Sequence, residues 1–242
     1  MSNATGTGQT LTLSGIEAGY GESMVLRSVQ LKVEPGQVVC LMGRNGVGKT
    51  TLMKTIMGLI KPRSGKVVYG DADITTAPPD RRAKRGISYV PQGRDIFQQL
   101  TVEENIRLGL EAASAEKRKA GIPPHVYEMF PVLKEMLHRK GGDLSGGQQQ
   151  QLSIARAIVS DPELLLLDEP MEGIQPSIVM DIENAIASIK AAGRTSVLLI
   201  EQSLAFATSI ADYYYVIDKG TVVAEGKGAE LSEEQMRKHL AV

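Results

Sequence analysis

A chain of 242 residues can hold one substantial domain with an inserted subdomain. Its 27 Lys and Arg nearly cancel 28 Asp and Glu, so no global charge draws it toward nucleic acid or an anionic membrane. No run approaches the ~20 apolar residues that span a bilayer, so any membrane role has to pass through a protein partner. The single cysteine, Cys40, excludes an internal disulfide and fits a reducing compartment.

Met1 to Thr10 is polar and reads as a loose tail without a signal pattern. Alternation in Val29-Gln30-Leu31-Lys32-Val33 predicts half-buried, antiparallel strands in the first third. Glu34-Pro35-Gly36 is a turn, and Gln37–Met42 is a continuous apolar strand of the buried, parallel type, with Cys40 as a small core residue. After a Gly-rich loop, Leu52, Met53, Ile56, Met57 and Ile60 recur at helical spacing, and Pro62 is expected to end that helix. Gly65–Tyr69 and Ile87–Val90 read as strands. The basic cluster Arg81-Arg82-Ala83-Lys84-Arg85 follows Pro78-Pro79-Asp80 and reads as a solvated helix face rather than a nucleic-acid patch.

From about Gly93 to Gly142 the pattern turns helical, with Val102, Ile106 and Leu108, then Val126, Met129, Leu133 and Leu137. This predicts a helical subdomain of about residues 93–156 inserted in an α/β core, within a single domain of residues 1–242. Ile96, Phe97 and Leu100 fit either a docking groove for a membrane subunit or the core of the insertion. The α/β alternation resumes with helix Gln148–Val159, strand Leu164–Leu167, helix Ile178–Ala191 and strand Ser196–Ile200. Tyr213–Ile217 turns at Asp218-Lys219-Gly220 into Thr221–Val223, a hairpin. Ser232-Glu233-Glu234-Gln235 has the capping-box pattern of a last short helix. His125, His138 and His239 lack metal-ligand spacing.

Three segments carry chemistry. Gly43-Arg44-Asn45-Gly46-Val47-Gly48-Lys49-Thr50 matches the P-loop pattern between a predicted strand and a predicted helix, the context that the motif requires. Its glycines let successive N–H groups point at phosphate oxygens, and the helix opening near Lys49 aims its positive end at the same place. Lys49 supplies a charge for the β- and γ-phosphates, and Thr50 a hydroxyl for Mg²⁺. Leu164–Leu167 ends in Asp168-Glu169, which places two carboxylates at a C-terminal strand end. There Asp168 can hold a metal-bound water and Glu169 can polarise the attacking water. Leu144-Ser145-Gly146-Gly147-Gln148 precedes a helix and makes a second anion cradle. One nucleotide does not need two cradles in one domain, so the second is expected to close on ATP held by another protomer.

With these motifs in place, residues 10–230 resemble the nucleotide-binding domain of an ABC transporter. The resemblance implies a P-loop α/β core with an N-terminal antiparallel β portion and an inserted helical subdomain, and an ATPase that binds ATP with Mg²⁺. It implies that Tyr20 stacks on adenine, that Thr51 joins Thr50 as a phosphate ligand, and that Gln92 touches Mg²⁺ and relays to the helical subdomain. The implied partners are a second ABC ATPase subunit, two membrane permease subunits and, indirectly, a solute-binding protein. Neither nucleic acid nor direct membrane insertion is implied, and the location is peripheral, on the cytoplasmic face of the inner membrane.

Two positions depart from the family pattern: Gln202 stands where a switch histidine is usual, and Gln175 closes a loop that usually ends in Asp. A glutamine can hydrogen-bond a phosphate but cannot gain a proton as histidine does. Both departures resemble the branch of importers for hydrophobic amino acids and urea. The segments Cys40–Lys49, Pro91–Phe97 and Glu172–Ser177 look most like the urea subunit, with branched-chain amino acids or short-chain amides as the alternative cargo. A reading of another class, a soluble ABC ATPase acting on DNA or ribosomes, is opposed by the single short domain and neutral charge. Leu144–Gln148 opposes a P-loop kinase or GTPase.

Overall fold

The run Leu164–Leu167 has no polar face to offer water, and the fold buries it on both sides. The computed structural model describes residues 8–230; residues 1–7 of the expected tail, His239 and the helix expected at Ser232 lie outside them. The described elements run in chain order β1 (Leu11–Tyr20), β2 (Ser23–Val33), β3 (Val38–Met42), α1 (Lys49–Met57), β4 (Ser64–Tyr69), β5 (Ala72–Asp73), α2 (Pro79–Ala83) and β6 (Ile87–Val90). There follow α3 (Val102–Leu108), α4 (Ala115–Ala120), α5 (Pro124–Met129), α6 (Pro131–Glu135) and α7 (Gly146–Ile158). The chain closes with β7 (Leu164–Asp168), α8 (Pro176–Ala192), β8 (Ser196–Ile200), α9 (Leu204–Ile210), β9 (Tyr213–Asp218) and β10 (Thr221–Lys227).

The central sheet has the order β10-β9-β3-β8-β7-β6, parallel except for the β9–β10 hairpin. A second, antiparallel sheet has the order β2-β1-β4-β5. Side chains alternate across the central sheet as strand geometry requires. Cys40, Met42, Leu165 and Leu167 pack with α7 and α8 on one face. Val39, Leu41, Leu164 and Leu166 pack with α1 and the antiparallel sheet on the other. Burial pushes the Cys40 thiol up to about 12, which leaves it a protonated core residue. The helices α3 to α7 lie between β6 and β7 as the inserted helical subdomain. Among the described residues no helix is long and apolar enough to cross a membrane.

Several expectations change. The helix after the P-loop stops at Met57, not near Pro62, because Gly58 (φ 81°) takes the left-handed C-terminal position and turns the chain, with Leu59 and Ile60 N–H both donating to Lys54 O. Leu108 points to solvent, two residues out of phase with the buried pair Val102 and Ile106. Pro131 opens a new helix, so the Val126–Leu137 pattern is split between α5 and α6, and Leu137 lies beyond both. Phe97 is 53% exposed while Ile96 packs on the core, so that segment is only partly core of the insertion.

The basic cluster at 81–85 is not wholly solvated. Arg82 is 1% exposed, and its guanidinium donates to Thr55 O (2.9 Å), Ile56 O (2.6 Å), Thr75 O (3.0 Å) and Ala77 O (2.9 Å). Two of these acceptors are carbonyls at the C-terminal end of α1, where a cation also meets the negative helix pole. Burial lowers the Arg82 pKa to about 10, still charged at neutral pH. Arg82→Ala takes a donor from four carbonyls, two of them in buried hydrogen bonds, so it is expected to cost on the order of 3 kcal/mol, measured as a shifted denaturant midpoint. Arg81→Ala, at an exposed neighbour, is the control and should shift it by less than about 0.5 kcal/mol.

Candidate functional site

Val38–Met42 is buried mid-sheet, so the chain leaving it emerges at the C-terminal edge beside the ends of β7 and β8. The P-loop turns there into α1 through Gly48, at φ 113°, a conformation that any side chain would resist. Lys49, the first residue of α1, is 4% exposed. Its Nζ donates to Gly43 O (2.8 Å) and Arg44 O (2.9 Å) and lies 3.3 Å from Glu169 Oε1. Thr50 Oγ1 donates to Asp168 Oδ1 at 3.2 Å, which joins the P-loop helix to the end of β7. Glu169 sits in left-handed backbone (φ 49°), with its N–H donating to Ile200 O at 3.2 Å. That strained turn bends its side chain back toward Lys49.

Asp168 is fully buried. Burial raises its pKa, opposed by hydrogen bonds from Thr50 and Tyr89 and reinforced by the Glu169 charge. The Tyr89 hydroxyl donates to Asp168 Oδ2 at 3.2 Å. No sequence pattern marks this tyrosine, because its partner lies 79 residues away on the neighbouring strand.

Tyr20, Asn45, Gly46, Gly48, Lys49, Thr50, Thr51, Gln92 and Glu169 line one cavity of about 390 Å³, with Tyr20 51% exposed at its rim. The structure thus gathers residues from the P-loop, β1, the segment after β6 and the end of β7. An adjoining cavity of about 340 Å³ is lined by Asn45, Glu169, Glu172, Glu183, Glu201 and Gln202, among others. Gln202 Nε2 donates to Asn45 Oδ1 at 3.0 Å, and Gln92 Nε2 donates to Glu172 Oε2 at 2.6 Å. A larger groove of about 720 Å³, between the two sheets beside Lys32, Tyr213 and Tyr215, includes no P-loop residue.

The second cradle is formed but stands apart. Ser145 caps α7, its Oγ accepting from Gln148 N (3.3 Å) while Gln148 Oε1 accepts from Ser145 N (2.9 Å). None of Leu144, Ser145, Gly146, Gly147 or Gln148 lines the P-loop cavity.

The family model described as ABC transporter matches residues 26–172. The chain belongs to the ABC transporter family. The high-affinity branched-chain amino acid transport ATP-binding protein BraG of Pseudomonas aeruginosa is 37% identical over 221 residues, which cover 91% of this chain and 94% of that one. The lipopolysaccharide export system ATP-binding protein LptB of Escherichia coli is 31% identical over 229 residues, covering 93% and 94%. Among solved structures, the ADP conformation of the ATP-binding cassette MJ1267 superposes with a TM-score of 0.80 at 31% identity, covering 93% of each chain. The chain is therefore an ATP-hydrolysing P-loop ATPase of the ABC fold, a class that binds ATP with Mg²⁺.

Glu201 is a buried neighbour that no sequence motif marks. Its Oε1 accepts from Gln202 N and Ser203 N, both at 2.8 Å, and so sets the turn that presents Gln202. Burial raises its pKa above the ordinary 4.5; the two N–H bonds oppose this, and the Glu169 and Glu183 charges add to it. A raised carboxyl pKa means that the folded state holds the proton more tightly than the unfolded one. That contribution is fully present below pH 4.5 and is lost as pH rises through the folded pKa. Glu201→Gln, which keeps the accepting oxygen and drops the charge, should therefore raise Tm at pH 7. The gain should shrink toward pH 4.5 in thermal unfolding followed across pH.

Proposed function

We propose that this chain is one ATPase of an importer for a small polar solute, and that it hydrolyses ATP only when paired face to face with a second ABC ATPase. One observation carries the pairing: the chain has a complete phosphate cradle at Lys49 and a second capped one at Ser145 that does not reach it. In the pair, each nucleotide lies between the P-loop of one protomer and the Leu144–Gln148 segment of the other.

Within its own half, Lys49 neutralises the β- and γ-phosphates, with Gly43 to Gly48, Thr50 and Thr51 donating to their oxygens. Thr50 would offer its hydroxyl to Mg²⁺, and Asp168, 3.2 Å from that hydroxyl, would hold a metal-bound water. Bound there, Mg²⁺ would offset phosphate charge. Gln92 at the rim is a further ligand. Glu169 takes a proton from the attacking water, Tyr20 stacks on adenine, and Gln202 hydrogen-bonds the terminal phosphate where other members use histidine. Residues 93–156 act as the helical subdomain that answers the membrane subunits.

The pair is proposed to be unequal. A partner bearing histidine at the switch position would own the stronger site, to which this chain contributes Leu144–Gln148. Two permease subunits and an indirectly coupled solute-binding protein complete the assembly at the cytoplasmic face of the inner membrane. On this model the chain alone shows weak ATPase activity that rises when the partner and membrane subunits are added. In the reconstituted complex, Ser145→Arg should lower steady-state ATPase by ~10²-fold or more, and Glu169→Gln by less; the reverse order refutes the unequal pair.

BraG and an Archaeoglobus fulgidus protein named as a probable branched-chain amino acid transport ATP-binding protein, LivF, support import of branched-chain amino acids or short-chain amides. The likeness of Glu172–Ser177 and Pro91–Phe97 to urea subunits favours urea as the second reading. Uptake of labelled leucine, a short amide and urea, with and without this chain, decides between them. Leucine uptake that depends on the chain supports the first, and dependence confined to urea supports the second.

A further inference from the structure

Three consecutive residues after Gln92 adopt left-handed backbone: Gly93 (φ 93°), Arg94 (φ 77°) and Asp95 (φ 44°). Arginine and aspartate resist this conformation, so something outside the loop has to hold them in it. Both restraints come from α7. The Ser153 hydroxyl donates to Arg94 O at 2.6 Å, and the Arg156 guanidinium donates to Asp95 O at 2.7 Å while covering the Phe97 ring at 5.3 Å.

What this shape delivers is a position for the Arg94 side chain. A Cβ on Gly146 would lie 2.6 Å from Arg94 Nη1 and 3.0 Å from Nη2, so the guanidinium lies against the first turn of α7. Glycine at 146 is the condition for that approach. Glycine at 147 answers a different demand, since a Cβ there would meet Ile178 Cδ1 at 2.3 Å. The first turn of a 13-residue helix already presents N–H groups without intrahelical acceptors and the positive helix pole. A guanidinium beside it is repelled unless an anion lies between them. Among the described residues the Arg94 guanidinium makes no hydrogen bond and no ion pair. It holds no part of this fold together, yet strained backbone and two restraints from α7 are spent on placing it.

We infer that Arg94 is a phosphate-binding residue acting in trans: in the pair it reaches the nucleotide held by the partner's P-loop, beside Ser145 and the first-turn amides of α7. The inference rests on the paired reading proposed above. A planar fork of N–H donors suits phosphate oxygens that single amides reach one at a time.

The test uses the full chain carrying Glu169→Gln, in which ATP is bound but turnover is slowed, with light scattering after addition of Mg-ATP. Arg94→Gly is added to it. Glycine adopts φ 77° freely, so the Tm should be equal or higher and folding is not at risk. Dimerisation driven by ATP should weaken at least 10-fold, while fluorescent-ADP affinity of the monomer stays within twofold. Arg94→Lys, which keeps the charge without the fork, should fall between. Unchanged dimerisation, or ADP affinity that falls in parallel, overturns the trans assignment. If the Glu169→Gln parent itself stays monomeric with Mg-ATP, the paired reading fails first and takes the inference with it.

Discussion

A lysine ammonium that is 4% exposed has to be surrounded by oxygen or lose its charge. Lys49 finds that oxygen in two P-loop carbonyls and in Glu169, and the arrangement of the site follows from this need. The carbonyls come from the turn leaving β3 and the carboxylate from the turn leaving β7. One buried cation therefore fixes the spacing of two strand ends. An anion that takes up this ammonium competes with Glu169 for it, so occupancy of the cradle and freedom of the carboxylate are linked through a single nitrogen. Thr50, one residue after Lys49, and Asp168, one residue before Glu169, make a second tie between the same two segments.

The parts legible in the sequence were those whose physics is local. Leu164–Leu167 could only be a strand covered on both faces, and a glycine-rich turn between a buried strand and a helix could only curl its amides inward. The abrupt change from leucine to Asp168-Glu169 marked the strand end that carries chemistry. Ser145 and two glycines before a helix marked the second cradle, and the structure adds the capping box that Ser145 makes with Gln148.

Other parts depend on groups far apart in sequence, and no pattern announces them. Arg82 sat in a basic run that looked solvated, yet it meets carbonyls 26 and 27 residues earlier. Tyr89 reached Asp168 across 79 residues because β6 and β7 are neighbours, a pairing that only the sheet order reveals. Gln92 and Glu172 are 80 residues apart. The end of α1 was misplaced for a local reason: Pro62 was the louder signal, but Gly58 came first and could take the left-handed position that closes a helix.

The strand order has a consequence for how the protein comes into being. β3, which carries the P-loop, is flanked by β8 and β9, whose residues begin at 196 and 213. The loop is also braced from the far end of the chain, by Gly220 N–H on Val47 O at 3.0 Å. A ribosome working from the N-terminus releases Gly43–Thr50 long before any of these neighbours exists. The cradle is thus encoded early and assembled late, by long-range parallel pairing of the kind that folds slowly. A nascent chain has no ordered phosphate site through most of its synthesis. An ordered cradle therefore waits for β8 and β9 to flank β3, and ATP binding to it can serve as a check that this part of the sheet has formed.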